Sequence, residues 1–123
     1  MKIGDTYRHG VFTIDASATL ATCARQLEIA DVGAFGVIEG SDIVGIITER
    51  DLVRALSRED DPARAIVRDF MSRDLVTADV EEDSREVAHR MLDAGVRHLP
   101  VVKDGDLVGM VSMRDLLHLE TWL

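Results

Sequence analysis

Two copies of a short motif carry the side chains that could do chemistry. Residues 45–51 read GIITERD and residues 109–115 read GMVSMRD, so each copy holds Gly, a hydroxyl residue and an Arg-Asp pair at one spacing. A carboxylate three residues after a hydroxyl residue is typical of a helix capping box, in which both side chains bond to backbone N–H groups. The same groups could instead bind hydroxyl groups of a ligand. The two interpretations are equally supported by these residues alone.

Capping does not explain every residue of the motif. Gly45 and Gly109 lie inside apolar segments, where glycine usually marks a bulge or the close approach of another backbone. Arg50 and Arg114 stand beside the acids and have no part in a capping box. These residues favour a binding role for the motif.

The motifs belong to an internal repeat with a period of 64 residues. Residues 13–52 align with residues 77–116 without a gap, and twelve of the 40 aligned pairs are identical. Two long copies predict a pseudo-twofold pair of similar small modules rather than an open array. We place the first repeat at 1–62 and the second at 63–123, with Asp60-Asp61-Pro62 as the linker.

Each copy has the same order of predicted elements, β-α-β-β-α, which gives an α/β (α+β) fold class. Helical spacing of apolar residues predicts a helix after each first strand, with Ser17 as an N-cap in the first copy and Gly95 at the C-terminal end in the second. A further short helix is expected at Ala63–Phe70. The predicted strands cover 11–15, 34–38, 43–47, 75–79, 98–102 and 107–111, and the closing helices cover 49–58 and 113–120.

The composition describes an acidic chain with an aliphatic core. The formal net charge is −9, hydrophobic residues make up 46% and aromatic residues only 4%. The negative charge opposes binding to nucleic acid or to an anionic membrane. No apolar run reaches the roughly 20 residues of a membrane span, so we expect a cytoplasmic protein. Cys23 is the single cysteine, and we interpret it as a small buried hydrophobic residue.

The chain resembles the CBS-domain family, named from cystathionine β-synthase. The resemblance rests on the paired β-α-β-β-α unit, the lead-in VRDFMS at 67–72, RHLPVV at 97–102 and the two motifs. It implies a CBS pair, or Bateman module, with two clefts between the repeats. Relatives commonly bind AMP, ADP, ATP or S-adenosylmethionine there and regulate other proteins. The first repeat departs from the pattern, because it lacks a Met-containing lead-in and has Gly36 where the second repeat has Pro100.

The resemblance implies that each cleft combines strand residues of one repeat with the motif of the other. The aspartates would accept hydrogen bonds from the ribose hydroxyls, apolar residues would cover the purine, and basic groups would bind phosphate. Because the first cleft has two extra basic groups, we expect it to bind phosphate more tightly. The first cleft would comprise Thr77, Val96, Arg97, His98, Thr48, Arg50 and Asp51. The second would comprise Val11, Thr13, Val32, Gly33, Ser112, Arg114 and Asp115.

These considerations lead us to expect a non-enzymatic regulatory module that binds an adenosine-containing ligand, with or without Mg²⁺, and forms a homodimer. No catalytic group and no metal site is predicted, since no nucleophile-base pair or metal-ligand cluster occurs at a suitable spacing. The alternative is a ligand-independent module for dimerisation or protein interaction, in which the motifs only cap helices. Trp122, near the C-terminal end, could contact a second copy or fold back on its own domain.

Overall fold

A computed structural model describes residues 1–10, 12–58 and 61–121. The predictions for Val11 and Trp122 lie outside these residues. Helices α1 to α4 span Leu20–Ala30, Glu49–Ser57, Ser84–Ala94 and Met113–Thr121. Strands β1 to β7 span Arg8–His9, Thr13–Asp15, Ala34–Glu39, Asp42–Thr48, Ala78–Asp79, His98–Lys103 and Asp106–Ser112. The α/β (α+β) class with two β-α-β-β-α repeats is confirmed.

The chain divides into two compact units. The first-repeat unit is Phe12–Leu75, and the second-repeat unit is Met1–Val11 together with Val76–Leu123. Each unit therefore contains the segment that leads into the other repeat along the chain. The residues that make up the two compact units therefore differ from those obtained by dividing the sequence between residues 62 and 63.

In the first-repeat unit, a three-stranded sheet has the order β2-β3-β4, with β2 parallel to β3 and β3 antiparallel to β4. Helix α1 makes the crossover that a parallel pair requires. The sheet and the helices enclose an aliphatic core, as the composition predicts. Its largest buried members are Ile14, Leu20, Leu27, Phe35, Val37, Ile47 and Val67.

In the second-repeat unit, the corresponding strands form a sheet of order β1-β7-β6-β5. Strand β1 is an addition from the N-terminal segment, and it pairs antiparallel with β7. Helix α3 packs through its apolar face on this sheet, and Gly95 ends the helix with a φ of 68°, as predicted. The buried residues of this core are Ile3, Ala78, Val87, Met91, Leu99, Val101, Val111 and Leu116.

The two lead-in segments repeat each other in structure although their sequences differ. Short 3-10 helices occupy Ile3–Asp5 and Val67–Asp69, again 64 residues apart. The chain after each 3-10 helix then packs against the glycine that begins a motif. A Cβ atom at Gly45 would lie 2.4 Å from the Ser72 carbonyl oxygen, and one at Gly109 would lie 2.1 Å from that of Arg8. The prediction that these glycines permit close backbone approach is confirmed.

Two local predictions were wrong. Helix α1 is capped by Thr19, whose hydroxyl accepts from the Thr22 N–H at 3.1 Å. Ser17 instead donates through its N–H and hydroxyl to Asp15 at 2.8 and 2.7 Å, which forms a turn before the helix. The helix expected at Ala63–Phe70 is reduced to the 3-10 turn at Val67–Asp69.

Candidate functional site

The first motif forms a complete capping box at the start of α2. The Thr48 N–H and hydroxyl donate to Asp51 Oδ2 at 2.8 and 3.1 Å, and the Asp51 N–H donates to the Thr48 hydroxyl at 3.3 Å. The second motif repeats this arrangement at α4. The Ser112 N–H donates to Asp115 Oδ2 at 2.9 Å, and the Asp115 N–H donates to Ser112 Oγ at 3.0 Å. The capping interpretation is therefore confirmed for both motifs.

Each capping box uses one carboxylate oxygen, Oδ2. The other oxygen of Asp51 lies 4.0 Å from Nη1 of Arg54, at the outer limit of an ion pair. The Asp51 side chain is 13% exposed, so the carboxylate is only partly accessible to solvent. Capping and ligand binding are consequently compatible in one aspartate, because a carboxylate has several acceptor sites.

The residue before each β-hairpin accepts a hydrogen bond from the first residue of the helix that follows the hairpin. The Glu49 N–H donates to the Gly33 carbonyl at 3.0 Å, and the Met113 N–H donates to the Arg97 carbonyl at 2.8 Å. Together with the capping boxes, these bonds satisfy two of the N–H groups at each helix start. An anion would therefore find fewer free N–H groups at α2 and α4 than at an uncapped helix.

The basic candidates lie near the motif of their own unit. Arg50 and Arg114 are exposed on the first turns of α2 and α4. Arg97 is exposed, and His98 is half-buried at the start of β6, where it pairs with Ser112. All three arginine side chains have room to reach a ligand in solvent.

The apolar and strand candidates are placed differently. Val32 is buried, whereas Thr13, Thr77 and Val96 are half-buried. The N–H groups of Val32 and Val96 close the preceding helices by bonding to α1 and α3 at 3.3 and 3.0 Å. The structure thus brings Gly33 beside the first motif and Arg97 beside the second. The predicted combinations across the two repeats stay predictions.

Arg90 hydrogen-bonds to the residue that precedes β5. The sequence did not indicate this role. Arg90 Nη1 donates to the Thr77 carbonyl at 2.8 Å and to Glu82 at 3.0 Å, and its Nη2 also contacts Glu82. Glu82 accepts from the Asp79 N–H at 2.9 Å. The hydrogen bond from Arg90 lowers the pKa of Glu82, and Glu82 raises the pKa of Arg90. The acidic run at residues 81–83 is the only sequence signal for this network.

Other candidates behave as structural residues. Cys23 is fully buried. This burial, and to a lesser extent the nearby negative charge of Asp51, raises the pKa of its thiol to about 11. In the part of the chain that the structure describes, no three His, Cys, Asp or Glu side chains are grouped to hold a metal ion. Among those same residues, no helix has the length and apolar character of a membrane span.

Comparison with known proteins identifies the family. The CBS-domain profile matches residues 3–58 and 67–120, and the chain belongs to the CBS-domain family. An uncharacterised protein of Methanopyrus kandleri is 34% identical over 126 residues, which cover 100% of this chain and 64% of that protein. The CBS domain-containing protein YhcV of Bacillus subtilis is 27% identical over 115 residues, which cover 94% of this chain and 82% of that protein. The chain thus spans under two thirds of the Methanopyrus protein.

Solved structures share the fold. A conserved protein of Pyrococcus horikoshii matches with a TM-score of 0.85 and 26% identity, over 97% of this chain and 91% of that one. The CBS domain pair of protein MJ0100 matches with a TM-score of 0.88 and 24% identity, over 99% of this chain and 97% of that one. The latter was solved in complex with 5′-methylthioadenosine and S-adenosyl-L-methionine.

Proposed function

We propose that this protein is a non-enzymatic regulatory module that binds an adenosine-containing ligand between its two CBS repeats. The observation that carries the proposal is the pair of equivalent aspartates, Asp51 and Asp115. Each is fixed through one oxygen by its own backbone. A carboxylate held in this way can present its other oxygen to a ribose hydroxyl with little loss of side-chain freedom. Such charge-assisted hydrogen bonds contribute about 1.5–3 kcal/mol each.

The charges favour unequal clefts. A chain of net charge −9 repels phosphate unless positive groups are concentrated near the site. The first cleft would contain Arg50 together with Arg97 and His98, whereas the second would contain Arg114 beside Gly33. We therefore expect AMP, ADP or ATP to bind more tightly in the first cleft. A ligand with less negative charge, such as S-adenosylmethionine, suits the second.

The fold is known to accommodate such ligands in one relative. The MJ0100 pair binds 5′-methylthioadenosine and S-adenosyl-L-methionine. We propose adenosine binding for this chain because it has its own motif aspartates and basic residues. Ligand occupancy would then change the shape or rigidity of the module and so affect a regulated partner. We further propose that the module is a homodimer.

A second candidate function is a ligand-independent module for dimerisation or protein interaction. The complete capping boxes favour it, because they give both aspartates a structural role without any ligand. In that case the motifs would stabilise α2 and α4 only, and the surface would bind protein partners.

A thermal-shift panel separates the two functions. AMP, ADP, ATP and S-adenosylmethionine are each added with and without Mg²⁺. A ligand at about 100 times its dissociation constant stabilises the folded state by roughly 2.7 kcal/mol, which corresponds to several degrees in a domain of this size. A shift with at least one compound supports the adenosine site. A flat response to all of them supports the interaction module.

A further inference from the structure

The segment at residues 73–77 joins the two compact units along the chain and lies outside the helices and strands. Its first end is fixed by backbone groups. The Ser72 N–H donates to the Ile46 carbonyl at 2.8 Å, and the Ile46 N–H donates to the Ser72 carbonyl at 2.9 Å. Its second end is fixed by a side chain, because Arg90 donates to the Thr77 carbonyl at 2.8 Å.

The equivalent position of the first repeat is held by the sheet instead. There the Gly36 N–H donates to the Phe12 carbonyl at 2.8 Å, and Thr13 is part of β2. The residue 64 positions after Gly36 is Pro100, which has no N–H to donate. Strand β5 accordingly begins only at Ala78, which aligns with the second residue of β2. The second repeat therefore lacks the sheet hydrogen bond that fixes this position in the first.

The ion pair of Arg90 and Glu82 belongs to the second repeat alone. Arg90 Nη1 donates to Glu82 at 3.0 Å, and Glu82 also accepts from the Asp79 N–H at 2.9 Å. The two side chains are 36% and 26% exposed, so the pair is partly shielded from water. The aligned residues of the first repeat are Gln26 and Ala18, which cannot form an ion pair. The pair thus occurs in the repeat whose sheet hydrogen bond is missing.

We propose that the Arg90–Glu82 ion pair is a clamp that replaces the missing sheet hydrogen bond, and that its release opens residues 73–77 locally. The inference is independent of the adenosine site. Glu82 is anchored to the Asp79 N–H in β5 and fixes the Arg90 guanidinium, which in turn holds Thr77. Elements that move in regulatory proteins come from regions of low local stability. The clamp therefore lets the connection between the repeats lose its order while the sheets stay folded.

Native-state proteolysis with thermolysin tests the clamp, with the cuts located by mass spectrometry. In the wild-type protein, cuts within 73–77 should precede cuts within β6 and β7. Their rate should change little in low urea, because a local opening exposes little surface. Arg90→Gln, which copies the first repeat, should raise this rate about tenfold, as expected for loss of a charge-assisted hydrogen bond. Adding Pro100→Ala supplies an N–H for the sheet and should lower the rate again.

Arg85→Gln is the matched control, because Arg85 is exposed on the same helix and carries the same charge. It should leave the rate unchanged. Glu82→Gln breaks the ion pair from the other side, while its amide oxygen can still accept from Asp79, and it should also raise the rate. The inference is overturned if neither folded clamp variant is cut faster than Arg85→Gln. It is also overturned if cuts within 73–77 and within β6 rise together steeply with urea, or if Pro100→Ala does not slow the cutting of Arg90→Gln.

Discussion

The Gly109→Ala substitution tests how the N-terminal segment is held on the second-repeat unit. A Cβ atom at this position would lie 2.1 Å from the Arg8 carbonyl oxygen and 2.4 Å from Cδ2 of Tyr7. The first of these is a backbone atom, so a side-chain rotation cannot relieve the contact. Strand β1 must move away from β7. We expect a loss of about 1–3 kcal/mol or more in the free energy of unfolding, as for an overpacked core.

Urea denaturation followed by circular dichroism measures this loss. Because the obstruction is a backbone oxygen, adding Tyr7→Ala to Gly109→Ala should not restore stability. Gly105→Ala is the matched control, since its Cβ atom would meet open space and its φ of 84° confines the cost to backbone strain. That cost is about 1–2 kcal/mol. The reasoning is refuted if Gly109→Ala is no less stable than wild type, or if Tyr7→Ala rescues it.

Three further predictions concern other parts of the chain. Because the pKa of Cys23 is about 11, iodoacetamide should modify it about 100-fold more slowly in the folded protein than in urea at pH 8; equal rates would contradict its burial. Arg90 lowers the pKa of Glu82 below 4.5, so this carboxylate stabilises the protein above pH 4.5 and loses the effect as pH falls through the lower folded-state pKa. Urea unfolding should therefore show that Glu82→Gln is destabilised at pH 7 and that this destabilisation shrinks as the pH is lowered below 4.5. Light scattering should give twice the chain mass of 13.6 kDa; a monomer would exclude the homodimer.

The sequence predicted those features that depend on local pattern. The strands predicted at 34–38, 43–47, 98–102 and 107–111 lie within β3, β4, β6 and β7, and the motif spacing located the starts of α2 and α4. The repeat also predicted that the two copies would share one architecture. Gly45 and Gly109 were correctly linked to close backbone approach, because a glycine inside an apolar strand usually marks such a contact or a bulge.

Features that depend on distant contacts were not predictable. The pairing of β1 with β7 joins residues about 100 positions apart, and the segment at Arg8–His9 has no strand pattern of its own. The cap of α1 is a local exception, since Ser17 donates to Asp15 and the capping position is taken by Thr19. The role of Arg90 arises only when α3 folds back over β5, which brings its guanidinium to Thr77.

The central claim is that the motif aspartates bind the ribose of an adenosine ligand. Titration calorimetry with AMP tests it on wild type, Asp51→Asn and Asp115→Asn. Asparagine can keep the capping oxygen while replacing the second oxygen by a donor, so the fold should persist and ribose binding should not. Asp83→Asn is the control, because Asp83 caps α3 at an exposed position.

We predict that Asp51→Asn weakens the tighter AMP site by at least about tenfold, as expected for a lost charge-assisted bond. Asp115→Asn should affect only the weaker site, and Asp83→Asn neither. Loss of the tighter site in Asp115→Asn alone would reverse the order of the two clefts. Wild-type AMP affinity in both Asp51→Asn and Asp115→Asn would contradict the claim.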